Sequence, residues 1–149
     1  MARPEKKVVI VALGNEMRGD DGAGILFGKL VGSQPAFTVV IGGEAPENHT
    51  GSVIKHKPEA IFIVDAMDFG GKPGECRVVS CADLQQESIP THGSLKLFAF
   101  YLEKMTGADI CVLGFQPKNL GLGESMSPEV SRGVREIARH FPNLSGRTR

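Results

Sequence analysis

Residues 7–31 read KVVIVALGNEMRGDDGAGILFGKLV, and the order of features in this stretch decides the fold class. Lys7 to Leu13 is a nearly continuous β-branched run, the pattern of a strand covered on both faces. Gly14 and Asn15 end it. Beyond the Asp20-Asp21-Gly22 start, Ile25, Leu26, Leu30 and Val31 fall at helical spacing, which predicts a helix beginning near Asp21. Phe37 to Ile41 then repeats the strand pattern, so the chain opens as strand, helix, strand.

The alternation continues. Ala60 to Val64 and Ile110 to Phe115 are further buried-strand runs, and Cys76 to Ser80, after the turn cluster Gly70, Gly71, Pro73 and Gly74, reads as a short strand of undetermined direction. Leu95, Phe98, Leu102 and Met105 form an apolar stripe that ends at Gly107 and predicts a helix over Gly93 to Thr106. Ser127 and Pro128 read as an N-cap and a first-turn proline, followed by one apolar face of Val130, Val134, Ile137, Ala138 and Phe141, with Pro142 as the expected stop. A frayed tail is expected from Asn143. Parallel neighbours need crossovers, so the expected architecture is a three-layer α/β sandwich: a twisted, mostly parallel sheet of about five strands flanked by helices.

The 149 residues suit one domain, with a core over residues 7–141 and neither repeat nor linker to divide it. With 17 basic and 17 acidic side chains the chain lacks the cationic excess that nucleic acid selects. No stretch approaches the roughly 20 apolar residues of a membrane span, and the apolar run after Lys6 and Lys7 is too short for a signal peptide. A soluble cytoplasmic protein is expected, with no nucleic-acid partner and no membrane insertion. Cys76, Cys81 and Cys111 form no C-x-x-C pair and no even set, which suits a reducing compartment and structural thiols.

Open parallel sheets bind ligands beyond the carboxyl ends of their strands. Gly14 to Gly22 follow the first strand there, Gly42, Gly43, Glu44 and Glu47 the second, Asp65 and Asp68 the third, and Gln116 the fourth, while Thr91 and His92 precede a helix. The glycines after the first strand do not have dinucleotide spacing, and two carboxylates at a helix start would repel a phosphate. Asp21, Asp65 and His92 instead make an oxygen and nitrogen set suited to a divalent transition metal with open positions. Each also has a structural reading: Asp20 or Asp21 as a helix cap, Asp65 as a turn former, His92 as a loop hydrogen-bonder. His49, His56 and His140 read as solvated. Ser94, in the first turn of its helix, lacks a Gly-x-Ser-x-Gly elbow, so a serine mechanism fits poorly.

The motif Gly14-Asn15-x-Met17-x-Gly19-Asp20-Asp21-Gly22-x-Gly24 resembles the opening signature of hydrogenase maturation endopeptidases. It is joined by Gly42-Gly43-Glu44-Ala45-Pro46-Glu47-Asn48, Val64-Asp65-Ala66-x-Asp68-x-Gly70, Pro73-Gly74-Glu75, Thr91-His92, Gly114-x-Gln116-Pro117 and Ser127-Pro128-Glu129-Val130, in order, from about Val8 to Phe141. The resemblance implies an aspartic-type peptidase that recognises nickel in the precursor of a nickel-iron hydrogenase large subunit and removes its carboxyl-terminal extension. It places catalytic and metal-ligating roles on Asp21, Asp65 and His92. Nickel would come with the substrate, another divalent metal being possible in isolated protein. The Gly-Gly-Glu-Ala-Pro-Glu-Asn stretch is most similar to members serving formate-hydrogenlyase-type enzymes. Where many relatives carry an acid before the paired glycines this chain has Ile41, which keeps open a non-cleaving, metal-dependent escort of the same precursor. A zinc hydrolase of small substrates is a third reading. Asp20, Asp68 and Glu44 are the candidate bases.

Overall fold

The structure is a computed structural model that describes residues 7–86 and 93–145, with the backbone only for 86, 93–94 and 142–145. Five strands, β1 (Val8–Leu13), β2 (Phe37–Gly43), β3 (Ala60–Ala66), β4 (Cys76–Ser80) and β5 (Asp109–Phe115), form one sheet in the order β2-β1-β3-β5-β4. β1 pairs in parallel with β2 and β3, and β3 with β5; β4 runs antiparallel along β5 at the edge. The direction of β4 follows from its connection. The turn after β3 brings the chain back beside the carboxyl end of β5, and Cys76 pairs with Phe115 there.

Side chains on successive strand positions point to opposite faces, so β1 feeds two cores at once. Val9, Val11 and Leu13 join Ile61, Ile63 and Val112 under α2 (Thr50–Lys55), α3 (Cys81–Gln86) and α4 (Gly93–Thr106). Val8 and Ile10 join Phe62 and Val64 under α1 (Ala23–Val31) and α5 (Pro128–Ser145). On this second face the Phe141 ring stands edge-on to Phe27, Phe37 and Phe62, at centroid distances of 5.3, 5.5 and 5.2 Å.

Three helical details depart from the sequence expectations. α5 runs through Pro142 to Ser145 instead of stopping there, so residues 143–145 are helical and 146–149 lie outside the described residues. Proline removes one helical N–H and crowds the turn before it, yet Phe141 is fixed in the aromatic cluster immediately before the expected break. Met105 and Leu30, expected on apolar faces, are exposed. Ala99 in α4 and Phe27 in α1 hold the inward positions, because small and aromatic residues on the neighbouring turns fill the space against the sheet.

α1 lies unusually close to the sheet. A β-carbon on Gly24 would stand 2.3 Å from the Val64 carbonyl oxygen and 2.4 Å from that of Leu13, and one on Gly28 would meet Ala12 Cβ at 2.9 Å. Both neighbours at Gly24 are backbone and have nowhere to go. Gly24→Ala should therefore destabilise the fold by about 2–3 kcal/mol through overpacking, against a gain of about 1 kcal/mol from alanine's better helix propensity. Urea unfolding of the variant measures the sign directly.

Candidate active site

The strand order reverses direction about β1: the chain crosses from β1 to β2 on one side and then to β3 on the other. Such a switch point opens a crevice at the carboxyl ends of the strands. Here it holds a pocket of about 120 Å³ lined by Leu13, Gly14, Asp21, Gly43, Glu44, Pro46, Asp65 and Leu95. Leu13 ends β1 and Gly14 follows it, Gly43 ends β2 and Glu44 follows it, and Asp65 is the penultimate residue of β3.

The β1 and β2 ends are shaped by a bulge. Ala12 pairs with Ile41 but Leu13 pairs with Gly43, so the register slips past Gly42, and the Gly14 N–H donates to the Gly43 carbonyl at 3.0 Å. Gly14 has φ of +126°, and a β-carbon there would lie 2.0 Å from the Asp21 carbonyl oxygen. The loop can therefore double back on itself and return Asp21 to the strand end it left. The Asn15 N–H completes the return, donating to the Asp21 carbonyl at 3.2 Å and to its carboxylate at 3.1 Å.

Asp65 is almost fully buried, with 3% of its surface exposed, and its carboxylate accepts the Ala66 N–H at 2.8 Å. Burial, assisted by the negative charge of Asp21, pushes its pKa up to about 7, against a lowering from the Ala66 hydrogen bond. Two carboxylates thus converge on one pocket, and one of them ionises there at a cost that a cation would remove. Because the folded pKa exceeds the unfolded value, Asp65 contributes most stability at low pH and loses it as pH rises through about 7. Asp65→Asn should be more stable than the wild type at pH 8 by at most about 4 kcal/mol, the gap closing below pH of about 4. Thermal melts across pH 4–8 test it.

Asp20, the neighbour of Asp21, caps no helix. The N-caps of the 3-10 turn Gly19–Gly22 and of α1 are Arg18 and Gly22, and neither makes a side-chain cap bond. Asp20 is fully buried and accepts the N–H groups of Lys118, Asn119 and Ser127 at 2.9, 2.9 and 2.7 Å, together with the Ser127 hydroxyl. Burial pushes its pKa up, but these donors outweigh it and hold the carboxyl below its ordinary value. The Ser127 hydroxyl is turned to Asp20, so Ser127 occupies the position before α5 while serving a different loop.

Gln116 performs the matching task after β3. Its Oε1 accepts the N–H groups of Phe69 and Gly71 at 2.9 and 3.0 Å, and its Nε2 donates to Asp68 at 3.0 Å. That bond and the Gly70 N–H hold the Asp68 carboxyl low. The segment after β5 therefore ties down both loops that deliver an acid to the pocket, through Asp20 on one side and Gln116 on the other. Of the three carboxylates considered as a base, Glu44 lines the pocket; Asp20 is saturated with donors and Asp68 is bound to Gln116.

Ile41 is not among the residues lining the pocket. It is 42% exposed, and its Cδ1 stands 3.2 Å from where a Gly28 β-carbon would be, on the α1 side of the sheet. The Ile41 side chain thus packs on the α1 side and not on the pocket wall. His92 and Thr91 lie outside the described residues. Among those described, no three His, Cys, Asp or Glu side chains stand together as a metal site. His49 and His56 are half-buried, His56 with its Nδ1 2.6 Å from the Ser52 carbonyl, and exposed His140 meets Glu136. All three cysteines are free; burial pushes the Cys76 thiol up to about 12 and raises those of Cys81 and Cys111, so none supplies a thiolate at neutral pH.

Residues 29–141 match the family model described as HycI, hydrogenase maturation protease. The chain belongs to the hydrogenase maturation protease family. It is 30% identical over 141 residues to the hydrogenase 3 maturation protease of Escherichia coli (strain K12), covering 93% of this chain and 90% of that protein. The crystal structure of the nickel-iron hydrogenase maturation protease HycI from Thermococcus kodakarensis superposes with a TM-score of 0.85 at 31% identity, over 94% of this chain and 92% of that one. The solution structure of the Escherichia coli endopeptidase HycI follows at 0.80 and 28%, over 94% and 92%. The protein is accordingly a peptidase hydrolase with the α/β fold of the family. Its membership was legible in the Gly14 to Gly24 motif; the ties made by Asp20 and Gln116 were not, since they join residues distant along the chain.

The Asp20 tie carries a stability consequence. Asp20→Ala removes the acceptor of three backbone N–H groups, and should cost about 3–5 kcal/mol after partial rehydration of the loop. Asp20→Asn keeps one carboxamide oxygen and should fall between the two. Chemical denaturation of the pair against wild type ranks them.

Proposed function

We propose that this protease cleaves the carboxyl-terminal extension from the precursor of a nickel-iron hydrogenase large subunit after nickel has been inserted, and that Asp21, Asp65 and His92 recognise that nickel. The observation that carries the reading is the convergence of Asp21 and buried Asp65 on one pocket, with the Asp65 pKa raised by burial and by its neighbour. Carboxylates in that state are stabilised by an incoming divalent ion, and oxygen donors joined by one imidazole leave coordination positions for the precursor's own groups. The pocket is therefore suited to a metal that arrives with the substrate. His92 enters on the family motif, as the residue before α4, whose Leu95 lines the same pocket.

Asp21, Asp65 and His92 would hold the nickel that arrives with the precursor. Its charge would polarise the carbonyl and acidify a water, the usual contributions of a Lewis acid. Glu44 is our choice of base among the three candidates, a choice supported by its place on the pocket wall and its exposure. The resemblance of the Gly42 to Asn48 motif supports a hydrogenase of the formate-hydrogenlyase type as the preferred client.

Anaerobic, reducing incubation with nickel-loaded precursor should shorten the large subunit, and the mass of the released fragment identifies the cut. Asp21→Asn, Asp65→Asn and His92→Ala should each slow cleavage at least about a hundredfold, the upper end of the cost of losing even a residue that only supports a metal ligand. Full-length precursor after incubation with wild type, or wild-type rates from these variants, refutes the assignment. Purified protein should carry little metal, and elemental analysis finding a stoichiometric zinc ion would instead favour a resident metal.

A further inference from the structure

β2 is an edge strand: β1 pairs along one side of it, and among the described residues no strand lies on the other. Alternate residues of such a strand turn their N–H and C=O groups to the free edge. Phe37 spends its pair on Gln34, in reciprocal backbone hydrogen bonds of 2.9 and 3.1 Å, and the Val39 N–H donates to the Ser33 hydroxyl at 3.0 Å. Ile41 is the next residue in the alternation. Among the described residues nothing pairs with its outward N–H and C=O, and its surface is 42% exposed. The loop before β2 therefore closes the edge at its far end and leaves it open at the end that runs into the pocket. Gly43, two residues on, lines that pocket. At about 3.3 Å per residue, Ile41 stands about 7 Å along the strand from it.

We propose that the open edge of β2 at Ile41 takes an extended segment of the protein substrate as a sixth strand, whose continuation lays the scissile bond in the pocket. The assignment rests on the reading of that pocket as the cleavage site. A strand edge offers alternating donors and acceptors, and the ligand that satisfies both is another extended backbone. A pocket of about 120 Å³ cannot hold a protein chain on its own, so the residues flanking the cut bond lie outside it. β1 and β3 also end on the pocket wall, through Leu13 and Asp65, but both are paired on two sides. β4, the other edge strand, is separated from β3 by β5 and lines no part of the pocket. β2 alone among the described strands meets the pocket and keeps one side free. Main-chain pairing admits a chain that can straighten and excludes one already folded, so the edge would select a carboxyl-terminal extension over the folded body that carries it.

Two measurements test it. Ile41→Pro removes the edge N–H, a loss that an edge strand tolerates, and Ile41→Thr keeps both the N–H and the β-branch. Assayed on nickel-loaded precursor, with thermal melts to verify folding, Ile41→Pro should raise KM about fivefold, the effect of one lost hydrogen bond, with kcat within about twofold. Ile41→Thr should leave KM within about twofold of wild type. The second measurement is amide exchange by NMR on isotope-labelled wild type, titrated without nickel with a synthetic peptide of the precursor's carboxyl-terminal region. Bound peptide should slow exchange of the Ile41 N–H at least about tenfold and leave the β4 amides unchanged. Unchanged exchange at Ile41 overturns the proposal whatever the proline variant does, and slowing at β4 instead overturns its location. Equal rises in KM from Ile41→Pro and Ile41→Thr assign the effect to the side chain and also overturn it. Protection of Ile41 that grows with the concentration of free protease assigns the edge to a second copy instead. Failure of wild type to cleave counts against the cleavage reading, whereas the Ile41 exchange still decides the edge.

Discussion

A single buried carboxylate organises the functional edge of this molecule. Asp20 carries no exposed surface, and its two oxygens gather three backbone N–H groups and a hydroxyl from a segment nearly a hundred residues later. A charge without water is tolerable only when so many donors surround it. The same arrangement welds the loop after β1 to the loop after β5. Everything at the pocket that depends on where Asp21 points depends on that weld.

The division of labour between the paired acids follows. Adjacent in sequence and chemically identical, Asp20 and Asp21 occupy opposite environments. The first is satisfied by donors and kept ionised; the second faces the pocket and repels Asp65. Gln116 plays the counterpart across β3, an uncharged side chain that can donate to Asp68 and accept from two backbone N–H groups at once. An acid in its place could not do both when ionised.

The strands and long helices were legible because their signal is local. Lys7 to Leu13, Ala60 to Val64 and the face Val130 to Phe141 show their pattern within one element. The direction of β4 was not legible, because it depends on the return path of a turn. The exposure of Met105 and Leu30 escaped for a similar reason: which turn of a helix meets the sheet is set by the neighbour, not by the helix. Asp20 read as a cap for want of any local sign that its partners lie at Lys118, Asn119 and Ser127. Asp21 and Asp65 were found through strand ends and chemistry, and the structure places both on the pocket; the position of His92 falls outside the described residues.

Phe141 closes the aromatic cluster with three rings contributed by α1, β2 and β3. Contacts between such distant parts of a chain raise the contact order and slow the search for the native state. During synthesis, the first half of the sheet must therefore wait with its aromatic face uncovered until α5 leaves the ribosome. A nascent chain stalled before that helix would present the kind of sticky surface that chaperones bind.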